Sequence, residues 1–315
     1  MTRGAGANAL HWSPVGDGSA PPVREISSVV LKRVADDDLA LPALPWVLAA
    51  AAAELSESPF SPANFAKAME ADPIMVARLL RRANSAPYSD GTAVHTSTAA
   101  SARLGARIVR IFVDDSGSHK MIVSRDPLIN RARQQVWEHC VAVALVARDL
   151  AGFVFGLGHD EVAQAAYTGG LLHDLGKPVV AALLLDSEQR LLSSGVNGWL
   201  DVSQWVEVVR GSHSSVGRLL AAKWGIPTPI RQCIAEPYSY DPWKPYSLNN
   251  VVTLANALVE NMGIDVGEPQ DANAMELALL EGPKLLGFPQ ANIEWASRDL
   301  RTRVAVHMGN WRDPL

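Results

Sequence analysis

The run Gly169-Gly170-Leu171-Leu172-His173-Asp174-Leu175-Gly176-Lys177 constrains the fold more than any other stretch. It sets a histidine and a carboxylate side by side in an apolar segment. Two such groups must be paired, protonated or bound to a cation when buried. The chain around them must therefore supply cover and further polar partners. Gly176 reads as a helix stop and Pro178 as a fresh start.

The partners emerge from helical periodicity. Val136, His139, Val143, Val146 and Leu150 step by 3, 4, 3 and 4, which places His139 on the buried stripe of its helix. Val162, Ala166, Gly169 and His173 step by 4, 3 and 4, and so do His213, Gly217, Leu220 and Trp224. Three histidines thus lie on apolar stripes. Gly169 and Gly170 lower helix propensity, which close approach of a neighbouring helix would offset. No convincing period-2 strand is found, so the fold class is all-α.

The remaining helices follow from caps and stripes. A short helix is predicted over 25–37. Leu41-Pro42-Ala43-Leu44-Pro45 opens an Ala-rich helix to about Ser56. Ser61-Pro62 and Asp72-Pro73 each combine an N-cap with a proline at the first helical position, predicting helices over 62–71 and 73–84. Leu104, Ile108, Ile111 and Phe112 share one face of a helix over 97–114. After Pro127, helices are predicted on the His139 stripe, over 178–185 and over 199–210. Others lie on the His213 stripe, after Thr228-Pro229, on the Leu248–Met262 stripe, and over 272–285 and 291–308. The division expected is a flexible leader over 1–24, an N-terminal helical part over 25–125, a second helical subdomain over 126–262, and C-terminal helices over 263–315 packing on it.

Composition narrows the function classes. The 315 residues are 48% hydrophobic with a net charge of −5, enough for a sizeable core and against a general nucleic-acid binder. Cys140 and Cys233 lie in apolar helical patterns without metal-site spacing. Residues 1–22 lack the apolar core of a signal peptide. The longest apolar run, Leu39 to Ala53, is broken by Pro42 and Pro45 and is too short to span a bilayer. A cytoplasmic location and no membrane partner are expected.

The candidate site is His139, His173, Asp174 and His213. Imidazole and carboxylate suit one divalent ion such as Fe, Mn, Zn or Mg, and a carboxylate can bridge metals that activate water for phosphoester cleavage. A core-facing histidine is by default a hydrogen-bonded structural group, so both readings stand at this point. His11, His95, His119, His159 and His307 lack such framing and read as surface or loop residues. Lys177 could bind phosphate, or serve as a helix C-terminal cation favoured by the dipole. Arg78, Arg81 and Arg82 form a small basic cluster, by default a solvated helix face, with anion or partner contact as the lesser alternative. Trp199, Trp205 and Trp224 read as core or interface anchors rather than a stacking platform.

These motifs together resemble the HDOD family, the HD-related output domains of bacterial signalling. The resemblance covers about 41–262. It is carried by Leu41-Pro42-Ala43-Leu44-Pro45, by Asp72-Pro73 with Arg78 to Ala86, and by Ala102-Arg103-Leu104-Gly105. In the second half it rests on Trp137-Glu138-His139, Leu171 to Lys177, Glu207 with Gly211 and His213, and Val216-Gly217 through Pro227. It implies an HD-like helical bundle related to HD and HD-GYP phosphohydrolases. Their ligand signature maps onto His139, His173 and Asp174, with an HD-GYP histidine at His213. The final aspartate position falls on Asn256, a neutral oxygen and a poorer ligand for a hard cation. A His-His pair expected near 236 is replaced by Glu236-Pro237. The resemblance therefore implies a non-catalytic regulator with a degenerate metal site, acting on signalling proteins of unknown identity, with a homo-oligomer left open. The alternative is a metal-dependent phosphohydrolase acting on a nucleotide or cyclic dinucleotide, with Lys177 on the phosphate.

Overall fold

Prolines and short polar side chains set the helix starts. A computed structural model describes residues 23–309, apart from 38, 40, 119–121, 157–158, 194–198, 236–238, 268–270 and 289–297. Every regular element among them is α-helix. The N-terminal half holds α1 (Val23–Ala35), α2 (Pro45–Glu54), α3 (Pro62–Met69), α4 (Pro73–Ala83) and α5 (Ser97–Ser116). Ser61 caps α3 by accepting from the Asn64 amide, and Asp72 caps α4 by accepting from Ile74 and Met75. Asp72 is fully buried, and its other oxygen accepts from the Leu44 amide at 2.9 Å. One carboxylate thereby fixes the start of α4 against the entry to α2. Burial raises its pKa, and the three amides limit the rise.

The second half holds α6 (Pro127–Phe155), α7 (Asp160–Leu172), α8 (Gly176–Ser193), α9 (Val202–Lys223), α10 (Thr228–Ala235), α11 (Leu248–Asn261), α12 (Ala272–Leu285) and α13 (Leu300–Met308). The axis of this half is α6, 29 residues long, which packs against α7, α8, α9, α11 and α13. At the α6–α7 crossing, a Cβ on Gly170 would stand 2.8 Å from the Ala144 Cα and the Val143 carbonyl. On Gly169 a Cβ would stand 3.1 Å from Cys233 Sγ. Both glycines thus sit at close approaches, as their position on the stripe predicts. One hydrophobic cluster runs through both halves, from Val47 and Leu79 to Leu145 and Leu183. Arg33 on α1 pairs with Asp186 on α8 at 2.7 Å, and Tyr167 on α7 donates to the Glu70 carbonyl at 2.9 Å.

Some helices differ from the prediction. The helix predicted over 97–114 bends at Gly105, whose φ of +68° breaks α-helical geometry inside α5. The segments predicted over 199–210 and around His213 are one continuous helix, α9, because Gly211 keeps helical geometry there. The helix predicted over 178–185 extends to Ser193. Of the last predicted helix, residues 298–308 are described, and α13 covers Leu300–Met308 of them. Cys140 and Cys233 are free thiols in the core. No helix among the described residues is long and apolar enough to cross a membrane.

Candidate metal centre

Three helices deliver the site. His139 comes from the middle of α6 and is fully buried. His173 and Asp174 occupy the turn between α7 and α8, and His213 comes from α9. The turn can lie against α9 only because residue 176 has no side chain. A Cβ there would collide with the His213 carbonyl, and one on Gly217 would stand 3.3 Å from the Gly176 amide nitrogen.

Each histidine is oriented by a backbone carbonyl. Nδ1 of His139 faces Ile264 O at 2.8 Å, that of His173 faces Gly170 O at 2.7 Å, and that of His213 faces Arg210 O at 2.7 Å. A carbonyl only accepts, so each Nδ1 carries hydrogen and each neutral ring presents its Nε2 lone pair. Those of His139 and His173 meet at 3.2 Å. Two lone pairs at that separation repel unless a proton or a metal cation lies between them. Asp174 Oδ2 completes a near-equilateral triangle, 3.4 Å from His139 Nε2 and 3.3 Å from His173 Nε2. Donors around one ion at about 2.0–2.2 Å stand at such separations. His139, His173 and Asp174 could therefore hold a single metal ion. His213 Nε2 lies beside them, 3.5 Å from Asp174 Oδ1, and accepts from the Ser214 hydroxyl at 3.1 Å.

The strongest contact at the site belongs to Lys177. Its ammonium lies 2.8 Å from Asp174 Oδ2 and 2.9 Å from Asp265 Oδ1, with the lysine side chain 4% exposed. Lys177 opens α8 rather than closing α7, where a cation faces the unfavourable end of the helix dipole. Burial also opposes its charge, yet Asp174 and Asp265 outweigh both and raise its pKa. The two carboxylates respond in kind. Burial would raise the pKa of Asp174, but Lys177, His173 and His213 hold it well below the usual range. Asp265 is likewise lowered against burial by His139 and Lys177. His139 keeps a raised pKa despite burial, chiefly because of Asp265, with Asp174 adding to it. Burial dominates at His213 and lowers it.

Asp265 is the participant that periodicity does not reach. It follows α11 in a loop, where its Oδ1 also accepts from the Val266 amide. An aspartate between Ile264 and Val266, just past a helix end, is the one signal that the sequence carries for it. Asn256 is buried on α11 and donates to Glu260 Oε1 at 3.3 Å. Among the described residues no hydrogen bond joins it to the three donors, and its own Oδ1 is buried without a partner. Glu236 and Pro237 lie outside the described residues, as do His11 and His119. His95 and His307 are half-buried and apart from the group, and His159 precedes α7.

The sequence matches the HDOD domain over residues 41–240, more than half of the chain. No curated protein matches it. Among solved structures, it resembles the MmoQ response regulator from Methylococcus capsulatus, with a TM-score of 0.57, 18% identity, and coverage of 82% of this chain and 98% of that one. It also resembles a virulence factor from Campylobacter jejuni, with a TM-score of 0.55, 15% identity, and coverage of 93% and 100%. At these identities the likeness speaks for the helical fold alone. The match across residues 41–240 carries the assignment: the chain belongs to the HDOD domain family.

Proposed function

We propose that the chain is a non-catalytic HDOD signalling module of the bacterial cytoplasm, acting through contacts with other signalling proteins and retaining a degenerate metal site. The observation that carries this reading is the Lys177 ammonium buried between Asp174 and Asp265. A hydrolytic centre spends its carboxylates on metal, and here an internal cation already takes both. The group carries two carboxylates and one ammonium, and Asp265 and Asp174 raise the pKa of His139 against burial. Loss of acidic ligands normally costs metal chemistry, and Asn256 stands at the mapped final position.

A second reading rests on the donor triangle. His139, His173 and Asp174, with His213 beside them, would hold one ion, which would supply Lewis acidity for phosphoester cleavage. In that case Lys177 is, among the described residues, the buried cation beside this group that could steady a phosphate oxygen.

Metal analysis of the purified chain, with an assay on phosphodiesters including a cyclic dinucleotide, separates the two. The regulator predicts substoichiometric metal and turnover no different from His173→Ala. Stoichiometric Mn or Fe with turnover lost in His173→Ala would overturn it.

A further inference from the structure

The α4 helix carries Arg78, Arg81 and Arg82 at i, i+3 and i+4, on one face. Each guanidinium lies over a different ring. Arg78 is 5.8 Å from the centroid of Phe112, Arg81 is 5.5 Å from Trp224, and Arg82 is 6.0 Å from Tyr88. The three line a groove of about 360 Å³ with Ser85, Tyr88 and Phe112. Such a cation–π contact holds the guanidinium near the ring and leaves N–H groups available.

Little inside the protein uses those groups. Arg82 meets Asp115 at 3.5 Å and Arg81 meets Asp37 at 3.8 Å, with both carboxylates more than half exposed. Such pairs contribute little. Arg78 is half-buried, and among the described residues its side chain makes one hydrogen bond, a long one of 3.5 Å to the Leu41 carbonyl. Burial lowers its pKa; Asp72 and Asp115 oppose that shift, and Arg81 and Arg82 reinforce it. A desolvated guanidinium with unspent donors, beside two more of the same sign, gains most from an anion.

The chemistry of that anion follows from the count. One carboxylate is satisfied by a single guanidinium fork. Three forks on one helix face match a group with several terminal oxygens and a charge near −2. The charge of the groove is therefore matched to phosphate oxygens. We propose that this groove binds a small phosphate-bearing ligand, with Arg78 at its base and Arg81 and Arg82 closing over the oxygens. The groove shares no residue with the His-Asp site, so this assignment stands or falls independently of the function proposed above.

Calorimetric titration of the full chain with inorganic pyrophosphate, at fixed ionic strength, tests it. Saturable binding is expected, weakened at least tenfold in Arg78→Gln and in Arg81→Gln/Arg82→Gln. The double variant alters only surface-reaching side chains and keeps the test valid if Arg78→Gln does not fold. Arg131→Gln, on an exposed arginine of α6, should bind as the parent does. ADP binding equal to that of pyrophosphate supports phosphate alone as the determinant, and tighter ADP binding supports a nucleotide source. Citrate binding as tightly as pyrophosphate, no saturable binding, or parental affinity in the double variant would each overturn the assignment.

Discussion

Replacing Lys177 with methionine removes the ammonium and keeps an unbranched stem of similar length. Asp174 and Asp265, with side chains 11% and 6% exposed, would then be stranded beside each other. Breaking one partner of a buried pair costs about 3–5 kcal/mol. Two carboxylates lose their partner here, but Asp174 keeps the three imidazoles within 3.5 Å and Asp265 keeps the Val266 amide. The loss should fall near the middle of the range, about 4 kcal/mol. With a urea m-value of about 3 kcal/mol/M, the midpoint should drop by about 1.3 M at neutral pH in the presence of a chelator. Adding Asp265→Asn removes one stranded charge and should recover about 1–3 kcal/mol of coupling. Mn²⁺ should stabilise the single variant more than the parent, because the pocket has become more negative. A loss under about 1 kcal/mol, or strict additivity in the double variant, would show that Lys177 does not organise the pocket.

Two further outcomes follow from the same geometry. Gly170→Ala forces a methyl group against the α6 backbone and should cost about 1–3 kcal/mol, whereas Gly211→Ala, which meets nothing within 4 Å in α9, should gain about 0.5–1 kcal/mol; paired urea melts check both. The pKa of His139 is raised above the unfolded value of about 6.5, so its contribution is full below that pH and declines as pH rises through the folded value. In chelator, parental stability should therefore fall relative to His139→Gln as pH rises above about 6.5; a flat difference would refute the assignment, and bound metal would reverse the slope because ion competes with proton.

The histidines were legible because each sits on a stripe with helical spacing, and a stripe is a property of neighbours three and four residues apart. Asp72-Pro73 and Ser61-Pro62 were legible for a similar reason, since a cap and its proline are adjacent in sequence. Lys177 was visible but its role was not. The identity of a buried lysine's partner is a tertiary fact, and Asp265 lies 88 positions away in a loop with no period. The same limit applies to Gly105, where a one-residue bend leaves the apolar spacing on both sides intact. The resemblance maps the last aspartate onto Asn256 within Leu254-Ala255-Asn256-Ala257-Leu258, and says nothing of Asp265, which meets Lys177 at 2.9 Å.

The ammonium between Asp174 and Asp265 has one more consequence. A metal ion stabilises a fold in proportion to the logarithm of its free concentration, so its contribution varies with supply. A lysine is delivered with the chain at a fixed ratio of one to one, during synthesis. That share of the pocket's charge balance is set by translation and owes nothing to the ion content of the cell.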